Sequence, residues 1–245
     1  MTTDRLFGRS YDSIGALADF TREVFTRDQM DLRILPPVDF VIEELFTNMV
    51  KYATGSDAAV RVSLTKVAGG VEVSLTDFGV ERFDPTQGPE VDINAPIEQR
   101  RPGGLGLHLI RKMVDSIHYD YEQESRQGRI TFRKTIPDRR GSKTGGEMLQ
   151  IDFGTDSGTV AIAGRLDAAQ CPAAQAFLDK VQGTVTLDCR KLEYISSAGL
   201  GVLLKTQKRL MTGGGKLKLA GVNAHLRDIF AYSGFDQIFE IEPAA

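Results

Sequence analysis

The spacing of apolar residues changes across one short polar segment, and this change restricts the chain to two differently built halves. Before the segment, Val60–Val67 and Gly70–Thr76 alternate apolar and polar residues around a glycine turn, as the strands of a hairpin do. From Met148 onward, strand-like stretches alternate with helical ones, which favours an open α/β sheet covered by helices. The segment between the halves, Pro137–Glu147, holds proline, glycine and charge but no apolar residue, and is typical of a linker.

We therefore predict a first domain over residues 1–136, a linker over residues 137–147 and a second domain over residues 148–245. A length of 245 residues is ample for two domains. The first domain is predicted to be α+β, with helices on one face of a mixed, mostly antiparallel sheet. The second is predicted to be α/β.

Composition limits the environments and partners. The formal net charge is −3 and tryptophan is absent, so neither a polyanion-binding field nor a base-stacking surface is indicated, and direct DNA binding is not expected. Cys171 and Cys189 form neither a metal-ligand motif nor a disulfide framework. No apolar run approaches the ~20 residues of a membrane span. These features predict a cytoplasmic protein without a membrane anchor.

One helical stretch carries a polar pair suited to phosphate chemistry. Apolar residues recur at three- and four-residue spacing over Asp39–Ala53, which predicts an amphipathic helix. Glu44 and Asn48 are four apart and share one edge of that helix. An amide oxygen is a hard ligand for Mg²⁺, and a carboxylate can orient a hydroxyl and accept its proton. Taken alone, the same pair also fits the solvent-exposed face of an ordinary helix.

Two later motifs, one around Asp77 and one rich in glycine, become informative when they are considered together. Asp77-Phe78-Gly79 follows the second hairpin strand directly, but no kinase-type lysine strand or HRD loop precedes it, so we do not interpret it as a protein-kinase DFG motif. Residues 80–102 are rich in proline and polar residues, which predicts a long functional loop. Gly103–Gly106 then opens a helix, and such a junction offers free N–H groups to phosphates. No P-loop motif is present.

Over about residues 10–136, these motifs in this order resemble the N, G1 and G2 boxes of the GHKL (Bergerat-fold) ATP-binding superfamily. Within it, the compact second glycine box is most similar to that of the anti-sigma-factor serine kinases. The three boxes read Glu44-x-x-x-Asn48, Asp77-x-Gly79 and Gly103-Gly104-x-Gly106-Leu107.

The resemblance implies a role for each box residue. Asn48 is expected to coordinate Mg²⁺, Glu44 to act as the catalytic base or orienting carboxylate, and Asp77 to accept a hydrogen bond from the adenine amino group. Gly79 is expected to let the backbone approach the base. The loop expected to wrap the ATP phosphates comprises Gly103, Gly104, Leu105, Gly106 and Leu107. The family usually has a second glycine in the G1 box where this chain has Glu81, which implies reduced nucleotide affinity.

Over about residues 148–243, the second half resembles a STAS domain of the anti-sigma-factor antagonist type. The resemblance rests on Gly164–Asp167, Leu187-Asp188 and Tyr194–Gly201. It implies that Ser197 accepts phosphate from a partner kinase, and a serine at a helix start is also expected to cap that helix. Relatives often carry aspartate where this chain has Ser196, so the acceptor stays open between the two serines.

Together the resemblances imply an ATP- and Mg²⁺-dependent serine kinase and anti-sigma factor fused to its own phosphorylatable antagonist. The implied partners are a sigma factor, the STAS antagonist domain in cis or in trans, a PP2C-type phosphatase, and a second copy in a homodimer. The alternative is a non-catalytic scaffold that binds nucleotide poorly and only sequesters its partners. A sensor histidine kinase fragment is disfavoured, because no histidine-bearing phosphoacceptor helix precedes the Glu44 helix.

Overall fold

A computed structural model describes residues 2–52, 56–84, 86–87, 92–93, 96–97, 99, 104–136, 155–156 and 158–242. The predicted linker over residues 137–147 and Gly103 lie outside these residues. So do residues 149–153, whose sequence predicts a strand, and Thr54-Gly55, where the glycine predicts the end of the Glu44 helix. The chain divides into two compact units, one formed by Met1–Pro89 with Ile110–Thr144 and the other by Glu90–Leu109 with Gly145–Ala245. In the part of the chain that is described, no helix is long and apolar enough to cross a bilayer.

The first unit is built on a five-stranded antiparallel sheet of order β1-β2-β3-β5-β4. Apolar side chains alternate along its strands, so one face is buried, with Val62, Val73 and Ile130 fully enclosed. β3 pairs with both β2 and β5 and is the central strand, which gives its end a fixed position. The strands are β1 (Thr2–Phe7), β2 (Val60–Val67), β3 (Gly70–Phe78), β4 (Ser116–Glu122) and β5 (Gln127–Thr135).

Two helices precede the hairpin, α1 (Ser13–Arg27) and α2 (Leu35–Tyr52), and they pack against each other. Pro36 and Pro37 lie in the first turn of α2, where the missing N–H groups have no helical partner to lose. α2 is therefore longer than the predicted Asp39–Ala53 at its start. A third helix, α3 (Leu105–Met113), spans the boundary between the two sets of residues.

The second unit contains a five-stranded sheet of order β10-β9-β8-β7-β6, in which β7, β8, β9 and β10 are parallel and β6 is antiparallel to β7. Three helices, α4 (Cys171–Leu178), α5 (Ser197–Thr212) and α6 (Ala224–Ser233), connect these strands. The strands are β6 (Thr155–Asp156), β7 (Thr159–Leu166), β8 (Val185–Ile195), β9 (Leu217–Ala220) and β10 (Glu240–Ile241). The predicted fold class, an α+β domain followed by an α/β domain, is confirmed.

Candidate functional site

Glu44 and Asn48 lie one turn apart on α2, as the spacing requires. The helix is buried on most sides, and Glu44 is 5% exposed while Asn48 is half-buried. Apolar neighbours such as Leu45 and Phe46 are fully buried and fix the rotation of the helix about its axis. The carboxylate and the amide are therefore presented from a rigid element, and a helix that is buried this fully is not an ordinary surface helix.

Asp77 and Gly79 stand at the end of the central strand. Asp77 pairs with Gly128 in the β3–β5 register, so it lies inside the strand rather than after it as predicted. Gly79 has a φ of +68°, a conformation that side-chain-bearing residues rarely adopt. A Cβ added there would also lie 3.3 Å from the Ser56 Oγ. The positive φ is the main reason for glycine at this position, and the serine would have to move slightly to admit a side chain.

Arg9 is a buried cation that sequence analysis did not identify. Its side chain is 8% exposed, and its Nη2 donates to Oδ1 of Asp77, whose side chain is 5% exposed. Its Nη1 donates to the main-chain oxygen of Met49 at 3.0 Å. One guanidinium therefore contacts both the end of β3 and the α2 turn next to Asn48. The structure brings these two predicted site elements together through a residue that neither motif contains.

The chain leaving Gly79 is held against the β4–β5 hairpin. The Val80 N–H donates to the Arg126 main-chain oxygen at 3.0 Å, and the Tyr121 hydroxyl donates to the Val80 oxygen at 3.0 Å. Farther along, the Phe83 N–H donates to the Tyr119 hydroxyl at 3.2 Å. Burial raises the pKa of the Tyr119 hydroxyl, which therefore stays neutral at physiological pH. The start of the predicted loop is therefore ordered by specific contacts.

Glu81 occupies the place of the missing second glycine of the G1 box. It is exposed and does not have a positive φ. The backbone at this position therefore does not need glycine to reach its conformation.

The second glycine box forms the beginning of α3. Gly104 has a φ of +78°, which again favours glycine, and the His108 N–H donates back to the Gly104 oxygen at 3.3 Å. Leu105, Gly106 and Leu107 form the first turn, and Leu107 is buried. The first N–H groups of a helix have no helical acceptor, which is the property expected of a phosphate-wrapping loop.

The side chains present fit a magnesium–nucleotide complex better than a metal held by protein alone. In the described ranges there is no group of three or more His, Cys, Asp or Glu residues suited to a metal ion. Asn48 supplies one hard oxygen on α2, and Mg²⁺ commonly combines one or two protein ligands with phosphate oxygens. The positive φ of Gly79 is consistent with a main chain shaped for the close approach of a ligand at the end of β3.

In the second unit, the two candidate acceptor serines have different environments. Ser196 is 1% exposed, and its Oγ accepts a hydrogen bond from the Gly199 N–H at 3.2 Å, so Ser196 is the N-cap of α5. Its hydroxyl donates to the Leu166 main-chain oxygen at 3.3 Å. Ser197 is half-buried and is the first residue of the helix. The expectation that Ser197 itself caps the helix was wrong, because the preceding residue has the extended conformation that an N-cap needs.

Asp167 is the first residue after β7, and Ser196 is the first residue after β8. The last residues of these two strands, Leu166 and Ile195, pair with each other. The carboxyl ends of parallel strands meet at one edge of the sheet, so this carboxylate lies close to the start of α5. Burial raises the pKa of the Asp167 carboxyl, and a hydrogen bond from the Gln170 N–H at 3.0 Å partly opposes that shift.

Further buried polar groups lie behind this edge. The Arg165 guanidinium stacks 3.7 Å above the ring of Tyr194, its neighbour on β8. Burial lowers the pKa of His225, on α6, to about 4, and the positive charge of Arg165 acts in the same direction. Burial likewise raises the pKa of the Cys189 thiol to about 12. Burial thus keeps His225 and Cys189 neutral, and stacking holds Arg165 in place.

Comparison with known families assigns each half separately. Residues 9–134 match the family model described as a histidine kinase-like ATPase domain. Residues 149–241 match the model described as Mlab, STAS domain.

Curated relatives match parts of the chain. A putative anti-sigma factor antagonist, BtrV, from Bordetella bronchiseptica is 44% identical over 66 residues, which are 27% of this chain and 57% of the relative. The serine/threonine-protein kinase BtrW of the same organism is 27% identical over 95 residues, 38% of this chain and 66% of the relative. The serine-protein kinase RsbW from Halalkalibacterium halodurans is 29% identical over 84 residues, 33% of this chain and 51% of the relative.

The chain thus spans between half and two thirds of the length of each of these relatives. The first family model covers more than half of the chain, and the second matches a separate stretch that follows it. The chain belongs to the histidine kinase-like ATPase domain family and joins such a domain to a STAS domain.

Proposed function

We propose that this protein is an ATP-dependent serine kinase and anti-sigma factor whose phosphate acceptor is Ser197 of its own type of STAS domain. The observation that carries the proposal is the presence, in one chain, of an ATPase-family domain and a STAS-family domain with a serine at the first position of α5. The relatives named as kinases and as an antagonist match different parts of this arrangement.

On the nucleotide side, the proposal assigns roles to residues on rigid elements. Asp77 accepts a hydrogen bond from the adenine amino group at the end of the central strand, and Gly79 gives the base access to the backbone. Asn48 supplies an oxygen ligand to Mg²⁺, which neutralises phosphate charge when it is bound. The phosphates are wrapped by the loop that leads into α3 and by its first turn, which comprise Gly103, Gly104, Leu105, Gly106 and Leu107. The positive φ values of Gly79 and Gly104 and the buried carboxylate of Asp77 support these roles.

On the acceptor side, the Ser197 hydroxyl is the nucleophile. Its oxygen forms a bond to the γ-phosphorus of ATP while the bond from that phosphorus to the β–γ bridging oxygen breaks, and ADP leaves. The hydroxyl proton passes to the Glu44 carboxylate. Ser197 is favoured over Ser196 because the Ser196 hydroxyl is enclosed and already engaged as the helix cap.

The proposed consequence is partner switching. A phosphate adds about −1.5 to −2 charges at the start of α5, which weakens contact with an acidic surface. The kinase domain is then free to bind a sigma factor, and a PP2C-type phosphatase resets the acceptor. Homodimerisation, and transfer in cis or in trans, are part of the proposal.

Intact-mass analysis after incubation with MgATP tests the reaction. The wild type is expected to gain one phosphate, and Glu44→Gln and Ser197→Ala are expected to gain none. Ser63→Ala, in β2, is a matched control and should behave as the wild type. Absence of phosphate in the wild type, or its presence in Ser197→Ala, contradicts the proposal.

A mixing experiment separates cis from trans transfer. Ser197→Ala retains the proposed kinase residues, and Glu44→Gln retains the proposed acceptor. If phosphate appears on Glu44→Gln only after Ser197→Ala is added, transfer occurs between molecules. If mixing the two variants gives no phosphate on Glu44→Gln and the wild-type rate does not change on dilution, transfer occurs within one molecule.

A non-catalytic scaffold is the second candidate, favoured by Glu81 at the position of the second G1 glycine. A carboxylate there replaces a glycine beside the base pocket and opposes the approach of a phosphate-bearing ligand. This candidate predicts weak nucleotide binding that improves in Glu81→Gly. The kinase proposal predicts measurable ADP binding in the wild type.

A further inference from the structure

Arg9 is the buried residue that the functional assignment leaves unexplained. It lies between β1 and α1, outside all three nucleotide-box motifs, yet its guanidinium is nearly enclosed. Arginine is rarely buried unless it is paired, and its partners here are Asp77 and the Met49 main-chain oxygen. Both partners belong to the predicted nucleotide site.

Arg9 uses its two terminal nitrogens on two different partners, and this determines which oxygen of Asp77 a ligand can reach. A guanidinium that faced the carboxylate squarely would engage both carboxylate oxygens. Here one terminal nitrogen contacts Oδ1 of Asp77 and the other contacts a main-chain oxygen. Oδ2 of Asp77 accepts no hydrogen bond from any residue that the structure describes. The arginine therefore compensates the carboxylate charge and leaves one oxygen open as an acceptor.

The second contact ties this carboxylate to the magnesium side of the site. Met49 follows Asn48 on α2, so the same guanidinium fixes the end of β3 relative to the turn that carries the amide. A ligand that binds both Asp77 and Asn48 needs their separation to be preset.

We propose that Arg9 is a base-specificity residue: it orients Asp77 so that Oδ2 faces an exocyclic amino group of the base and rejects a base with a carbonyl there. The inference rests on the proposed function, because it assumes that Asp77 reads the base. A carboxylate oxygen held in this position accepts a hydrogen bond from an amino group of the base. A carbonyl group there has no proton to donate, so the two oxygens repel each other. Without the guanidinium, the carboxylate can turn or take up water, and the discrimination is lost.

Calorimetric binding of ADP and IDP to the full chain with Mg²⁺ tests this directly. The two nucleotides differ at the base position that Asp77 is proposed to read, and neither can donate a γ-phosphoryl group. The wild type is expected to prefer ADP by about tenfold or more, the contribution typical of one hydrogen bond to a charged group. Arg9→Met is expected to bind ADP more weakly and to lose most of that preference.

Two further variants make the test specific. Arg5→Met removes a nearby surface arginine paired with Glu23 and should leave both affinities unchanged. Arg9→Lys retains the charge but cannot bridge both partners with one ammonium group, and is expected to keep a reduced preference for ADP. If Arg9→Met does not fold, the preference in Arg9→Lys decides: an unchanged ratio refutes the inference.

The possible failures are distinguishable. A purely structural role for Arg9 lowers both affinities by the same factor and leaves their ratio intact, which refutes the inference but not the kinase proposal. Tighter ADP binding in Arg9→Met also refutes it, since Arg9 then competes with the base. A wild type that binds neither nucleotide refutes the proposed function itself.

Discussion

Ser196 and Ser197 are adjacent, but the structure separates their contributions to stability and to phosphate acceptance. Replacing Ser196 with alanine removes the acceptor for the Gly199 N–H and a donor to the Leu166 oxygen, at a site that is 1% exposed. Loss of an N-cap costs about 1 kcal/mol, and a buried donor left without a partner costs about 1–3 kcal/mol. We therefore expect Ser196→Ala to destabilise the second unit by about 1–3 kcal/mol.

Ser197→Ala has the opposite profile. Alanine is well tolerated in the first turn of a helix, and Ser197 is half-buried, so the change in stability is expected to stay within about 0.5 kcal/mol. The phosphate gain, in contrast, is expected to disappear. Ser196→Asp serves as the control, because aspartate caps a helix as well as serine does. It should restore the hydrogen bond to the Gly199 N–H, although not the one to the Leu166 oxygen, and keep Ser197 as the acceptor.

Hydrogen exchange followed by mass spectrometry suits this measurement, because unfolding of two domains need not be a single transition. Peptides from α5 report local stability, and the same samples report the site of phosphate. If Ser196→Ala loses the phosphate without faster exchange in α5, Ser196 is the acceptor and the reasoning from burial and capping is refuted.

Three further predictions concern the second unit. In α5, Gly199→Ala places a Cβ 2.6 Å from a main-chain oxygen and should lower the free energy of unfolding by about 1–3 kcal/mol. Gly201 has open space around it, so Gly201→Ala should raise that free energy by about 0.5–1 kcal/mol in the same urea titration. A thiol reagent under native conditions should modify the half-buried Cys171 and spare Cys189, whose pKa burial raises to about 12, and equal rates would contradict this. The pKa of His225 is lowered to about 4, so near pH 5 the unfolded chain binds a proton there that the folded unit does not. The free energy of unfolding should therefore fall by about 2 kcal/mol between about pH 7 and about pH 5, and it should fall less in His225→Gln.

Helices and strands were predictable from the sequence where the spacing of their apolar residues follows the helix or strand repeat. The alternation over Val60–Val67 matches β2 residue for residue, because one face of that strand is buried and the other is not. The β-branched residues of Thr184–Asp188 predict a strand that ends at Asp188, but β8 continues to Ile195 through charged residues such as Lys191. Its pairing with β7 continues past a register shift, and main-chain hydrogen bonding there overrides the side-chain pattern.

The same distinction applies to the site. Glu44, Asn48, Asp77 and Gly79 were identified because each sits in a local motif with a fixed spacing. Arg9 belongs to no motif, and its contact with Asp77 joins residues far apart in the chain. A buried carboxylate requires a compensating cation, but the chain has 30 lysines and arginines, and only the fold decides which one reaches it.

The location of Ser197 also indicates what kind of switch a phosphate there can be. At the first residue of α5, the phosphate lies at the positive end of the helix dipole, which stabilises an anion by about 0.3–1 kcal/mol. The cap itself is made by Ser196, so modifying Ser197 does not remove the hydrogen bond to Gly199. Phosphorylation at this residue therefore changes the charge of the surface and leaves the fold in place. Under the proposed function, a partner would then be released by electrostatic repulsion, and no unfolding step would be needed before a phosphatase restores binding.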